Sequence, residues 1–178
     1  MGICAAPTAE IFFKDCEVPV ENLVGQEGGG FKIVMQSLDG ARLSMSAQAV
    51  GLAQGALNAA LTYAKERKQF GRAISSNQGL QWMLADMDAA VEGSRQLLYN
   101  AARMHDAGVR YTREAAIVKL VAAQMAMKVT TDAVQIHGGI GYTKNYPVER
   151  YMRDAKIIEI YDGTNEIQKI VIAAQLLA

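Results

Sequence analysis

Between Phe31 and Gly71, apolar side chains return at every third or fourth position: Met45, Ala49, Leu52, Ala53, Ala56, Leu57, Ala60, Leu61 and Ala64. That spacing draws one face of an α-helix, whereas a half-buried strand would alternate. A stripe this long has to be buried against other helices. The same spacing returns further along the chain. Leu80, Met83, Leu84, Met87, Val91, Leu98 and Ala101 mark a second helix, with Asn77 as its N-cap and Gly108 as its stop. Ala116, Leu120, Ala123, Met127, Thr130 and Val134 make a heptad-like seam in a third, which Thr112 is expected to cap. Gly138, Gly139 and Gly141 then break the chain, and Pro147 suits the first turn of a short fourth helix reaching roughly to Ile158. A fifth helix is expected after Asp162, with Ile167, Ile170, Val171 and Ala174 on one face, and the first is expected to end near Phe70-Gly71. Long helices joined by short breaks predict an all-α, antiparallel helical bundle.

The first 25 residues differ. Thr8 to Pro19 is rich in strand formers with partial alternation, which predicts one strand or two, closed by Pro19, Asn22 and Gly25. A strand that short implies a sheet for which the remaining sequence offers no partners. The expected division is therefore a β-remnant over 1–25 and a helical domain over 26–178. Gly28-Gly29-Gly30 lacks the spacing of a phosphate-binding loop and is expected to act as a hinge.

Composition narrows the function classes. Eighteen basic residues balance eighteen acidic ones, which argues against nucleic acid or an anionic membrane as partner. No apolar run is long enough to span a bilayer. Cys4 and Cys16 have no CxxC or metal-type spacing and are expected to be reduced thiols, as in a cytosolic compartment. No His, Cys and carboxylate cluster has metal-ligand spacing, and no nucleophile triad is visible. His105 and His137, the two histidines, suit capping or surface positions at helix ends.

Asp162 has two readings. Placed before Gly163 and a helix start, it could cap that helix, or it could be a carboxylate kept ionised by free backbone N–H groups and so fit to take a proton. Arg67 and Lys68 at a helix end complement the helix dipole, and Arg42 on a helix is expected to be a solvated charge.

Six segments, in this order, resemble the C-terminal part of the acyl-CoA dehydrogenases: Arg67-Lys68-Gln69-Phe70-Gly71, Asn77-Gln78, Asp132 to Gly139, Tyr146-Pro147-Val148-Glu149-Arg150, Met152-Arg153-Asp154-Ala155-Lys156, and Tyr161-Asp162-Gly163-Thr164. The resemblance implies the bundle of that family's C-terminal domain, with residues 1–25 ending its middle β-domain. It implies FAD as cofactor, an acyl-CoA as substrate, an electron-transfer flavoprotein as acceptor, a homotetramer, and a bacterial cytoplasmic or mitochondrial matrix location. The reaction would be α,β-desaturation of the thioester. Asp162 stands where the family's catalytic base is usually Glu. The Asp side chain is shorter by one carbon–carbon bond, about 1.5 Å. The alternative base position of some family members corresponds to Ala41, which cannot serve.

By the same resemblance, Arg67, Lys68, Gln69, Phe70, Asn77 and Gln78 would reach the FAD of a neighbouring subunit. Gln135, Ile136, His137, Gly138 and Gly139 would approach its adenosine half, and Thr164 and Glu166 would contact the flavin. Asp39, Arg42 and Gly163 would meet the acyl-CoA, with the backbone N–H of Asp162 on the thioester carbonyl. Three readings of Asp162 stay open: a repositioned base suited to a bulky or cyclic acyl group, abstraction farther along the acyl chain, or an inactive paralogue. A bundle that only oligomerises is the non-enzymatic rival.

Overall fold

The computed structural model describes residues 1–178. Its five helices are α1 (Gly30–Glu66), α2 (Gln78–Asp106), α3 (Thr112–His137), α4 (Val148–Lys156) and α5 (Asn165–Leu176). α3 packs against all four of the others. The bundle is held by small side chains: eleven of the 22 residues in the main core cluster are alanine. Ala53, Ala56, Ala60 and Ala64 of α1 and Ala122, Ala126 and Ala133 of α3 are fully buried. Alanine loses no side-chain entropy and lets two helix backbones approach closely, so the core is thin and densely packed. No helix is long and apolar enough to cross a membrane.

Helix ends follow local chemistry. Gly108, at φ 67°, closes α2 with a Schellman motif in which its N–H reaches the carbonyl of His105 and that of Val109 reaches Met104. α1 stops at Glu66, four residues before the expected end. Arg67 turns extended, and two short strands follow, β1 (Lys68–Gln69) and β2 (Arg72–Ala73), paired antiparallel. Thr112 does not cap α3. Tyr111 holds that position, and the Thr112 hydroxyl instead donates to Asp39 Oδ2 at 2.7 Å.

One expectation fails for lack of a partner. Residues 7–18 form no strand and make no backbone hydrogen bond, and Ile11, Phe12 and Phe13 are exposed. A single strand without a neighbouring edge has no ladder to join. The residues before them are docked on α4: the Ile3 N–H donates to Asp154 Oδ1 at 2.6 Å, and Arg153 donates to the Met1 carbonyl. On α5, the face carrying Ile167 and Ile170 is exposed, whereas Asn165 and Gln168 are buried. The Gln168 amide is drawn inward by a carbonyl of the preceding turn.

Candidate active site

After α4 and a 3-10 turn (Ile157–Glu159), the chain passes through Asp162 at φ 52° and Gly163 at φ 91° before entering α5. Asp162 is not the cap. Thr164 is, its Oγ1 accepting the Ile167 N–H at 3.3 Å. Glu166, in the first turn of α5, has its carboxyl held low by its own backbone N–H and then by the Thr164 hydroxyl. The Asp162 carboxylate is thus left half-buried, accepting no hydrogen bond within the chain. An L residue in the left-handed region is strained, and Asp is among the few that tolerate it. Gly163 is required: a Cβ there would stand 2.7 Å from Gln168 Nε2.

Two buried side chains from different helices hold the Gly163 carbonyl. Lys119 Nζ of α3 donates to it at 2.7 Å, and Gln168 Nε2 of α5 at 2.8 Å. Lys119 is completely buried, and burial pushes its ammonium below the ordinary lysine range; the charge of Asp162, then that of Glu159, opposes this. Beside them the Tyr161 hydroxyl donates to Gln48 Oε1 at 2.5 Å. Burial, and then the negative charge of Asp162, raises the Tyr161 phenol.

The expectation of a solvated Arg42 is overturned. Arg42 is 4% exposed and paired with Asp39, the same carboxylate that accepts from Thr112. Asp39 and Arg42 help line an open groove of about 510 Å³, walled on its apolar side by Met35, Ile170 and Val171. Arg42 is close enough to Lys119 to repel its charge, which places this groove at the same end of the bundle as Asp162.

The remaining candidates gather at the other end. Tyr63, one turn before Arg67, stacks on His137 with ring centroids 4.4 Å apart, and Tyr146 meets both edge-on. His137 is therefore a core residue and not a surface cap. The stack brings the Arg67 end of α1 beside Gln135–Gly139, where Gln135, Gly138 and Gly139 are exposed and Ile136 is buried. Arg67, Lys68, Gln69 and Gln78 are exposed, and Phe70, at the tip of the hairpin, is 99% exposed. Asn77 begins α2 without capping it through its side chain, because Oδ1 accepts from Arg72 at 3.1 Å. Along α3, Lys119 and His137 are 18 residues apart. At 1.5 Å per residue that separates the two clusters by about 27 Å.

A family model described as "Acyl-CoA dehydrogenase, C-terminal domain" matches residues 28–177. The chain belongs to the acyl-CoA dehydrogenase family. It is 58% identical over 176 residues to the short-chain specific acyl-CoA dehydrogenase of Clostridium acetobutylicum, covering 99% of this chain and 46% of that one. Among solved structures it resembles the butyryl-CoA dehydrogenase of Megasphaera elsdenii, at 51% identity and a TM-score of 0.91 over 93% of this chain and 43% of that one. A solved structure described as an electron transferring flavoprotein of Acidaminococcus fermentans matches with a TM-score of 0.91 and 57% identity, over 93% of this chain and 43% of that one. The chain thus spans under half the length of the relatives it matches.

Within this acyl-CoA dehydrogenase bundle, sequence reasoning missed Lys119, Gln168, Gln48 and Tyr63. Lys119 carried a usable signal. It lies three residues after Ala116 and four before Ala123, on the apolar seam, where a solvated lysine would face the wrong way.

Proposed function

We propose that this chain is the C-terminal part of an FAD-dependent acyl-CoA dehydrogenase in which Asp162 removes the α-proton of a CoA thioester. The observation that carries this reading is the state of Asp162: a half-buried carboxylate displaced from the helix cap, with no hydrogen bond in the chain and a buried ammonium nearby. A carboxylate already committed to a cap would be a poor base, whereas this one keeps its lone pairs for a proton. The Asp162 N–H, in the same fixed turn, is the donor for the thioester carbonyl, where charge develops as the proton leaves. Asp39 and Arg42 line the groove that would take part of the acyl-CoA, and Gly163 keeps the turn narrow.

The residues present fit a flavin nucleotide. Phe70 is a fully exposed aromatic on a strained backbone, and Gly138, at φ 65°, has open space where a Cβ would stand. Arg67, Lys68, Gln69, Phe70, Asn77 and Gln78 would hold the FAD of a neighbouring subunit, with Gln135 to Gly139 against its adenosine half. Thr164 and Glu166 would meet the flavin of their own subunit. When bound, FAD supplies the acceptor for the hydride that leaves the β-carbon. The separation of about 27 Å between the clusters supports cofactor sites shared between copies in a homotetramer. Residues 1–25 are read as the end of a β-domain, an electron-transfer flavoprotein as the electron acceptor, and the bacterial cytoplasm as the location.

The test is thioester-driven bleaching of the flavin in the complete flavoprotein, with Asp162→Asn and Asp162→Glu, across straight-chain and cyclic acyl-CoAs. Asp162→Asn is expected to lose bleaching by at least about 100-fold, the scale of a general base. Asp162→Glu is expected to change which thioesters react. Bleaching that survives in Asp162→Asn removes the base assignment. A parent protein that binds no flavin leaves the bundle as a scaffold.

A further inference from the structure

We propose that Lys119 is a positioning residue for Asp162, acting through the Gly163 carbonyl and through its own buried charge. The inference rests on Asp162 being the base. Lys119 lies in the N-terminal third of α3, between Val118 and Leu120, and is completely buried. An ammonium in such a place is costly unless it is paired and hydrogen-bonded, and a methionine of similar length would fill the space without that cost. The hydrogen bond alone does not account for it. The carbonyl that Lys119 reaches at 2.7 Å already accepts from Gln168 Nε2 at 2.8 Å. What Lys119 adds beyond Gln168 is a positive charge.

The charges around it show where that charge is directed. Asp162 and Glu159 face Lys119 from the turn and Glu166 from α5, and of these attractions the one to Asp162 is the largest; Arg42 of α1 opposes them. The tether and the charge therefore converge on the same two residues. The bond to Gly163 fixes a turn whose consecutive positive φ angles, 52° and 91°, keep the Asp162 carboxylate off the α5 cap. The ammonium places a positive charge beside that half-buried carboxylate.

The experiment uses the complete flavoprotein and two readouts. In the first, the pH dependence of thioester-driven flavin bleaching is compared for the parent, Lys119→Met and Lys119→Arg. Lys119→Met is expected to move the acid limb up by about one pH unit, the usual effect of removing a nearby opposite charge, while Lys119→Arg leaves the limb in place. The second readout is a thermal double-mutant cycle of Lys119→Met with Asp162→Asn. Lys119→Met is expected to lower the melting temperature more when residue 162 is Asp than when it is Asn. A variant that folds only in the Asn background is the extreme form of that coupling. Coincident acid limbs with additive melting shifts overturn the proposal, as does a Lys119→Met protein that unfolds equally in both backgrounds. If the parent bleaches no flavin, the proposed activity falls, and the thermal cycle still decides the pairing.

Discussion

Phe70 and Gly71 stand side by side at φ 51° and 79°, forming the two-residue turn that pairs Gln69 with Arg72. Two positive φ angles are the signature of a type I′ hairpin turn, whose preferred first residue is Asn or Gly. Phenylalanine there is strained, and at 99% exposure it gains no packing within the chain in return. Such strain is retained where something outside the chain uses the side chain. Phe70→Asn is expected to stabilise the protein by about 1 kcal/mol, the cost of the left-handed conformation. It is also expected to weaken flavin binding. Thermal melts and flavin titration check the two halves separately, and a Phe70→Asn protein that melts lower would remove the strain argument.

His137 links stability to pH. Nδ1 lies 2.8 Å from the Ala133 carbonyl and so carries the ring proton, while Nε2 is buried with no partner. A second proton would place a charge against Tyr63 and Tyr146, and burial holds the imidazole below its ordinary value of 6.5. The unfolded chain therefore binds protons more readily between that depressed value and 6.5. Stability is fully present above 6.5 and is lost as the pH falls through the folded value. The melting temperature should drop between about pH 7.5 and about pH 5, and His137→Phe, which keeps the stack, should drop less. Equal drops in the two proteins would show that His137 titrates normally.

The long helices were legible because α1, α2 and α3 bury continuous stripes, and three turns of matching periodicity outweigh any single residue. What was not legible turns on one residue at a time. Asp162 and Thr164 are both good caps by type, and only the backbone φ of Asp162 and Gly163 decides between them. Arg42 and Lys119 are cations on helices, which sequence assigns to solvent, yet each reaches an acceptor that the chain supplies from elsewhere: Asp39 one turn earlier for Arg42, and Gly163, 44 residues on, for Lys119. α5 buries Gln168 in place of Ile170 for the same reason. The strand over 8–19 was lost because strand formation depends on an edge to pair with, not on propensity alone.

Asp39 and Arg42 offer the sharpest test of whether that buried pairing holds the site end of the bundle together. Asp39 joins two helices: it sits on α1, where it holds Arg42 on the next turn, and it accepts the Thr112 hydroxyl at the start of α3. Arg42 Nε has no partner, so the guanidinium depends on this one carboxylate. Asp39→Ala would strand a charge that is 4% exposed. Removing one partner of a buried pair costs about 3–5 kcal/mol, whereas replacing both by apolar groups is often close to neutral. Asp39→Ala alone should therefore melt well below the parent, and Asp39→Leu combined with Arg42→Met should recover most of the loss. Under the proposed function both proteins should bind acyl-CoA less tightly, since each removes the polar floor of the groove. If the double variant is no more stable than Asp39→Ala, the loss comes from the Thr112 tether and not from the stranded arginine, and Thr112→Val should then reproduce it.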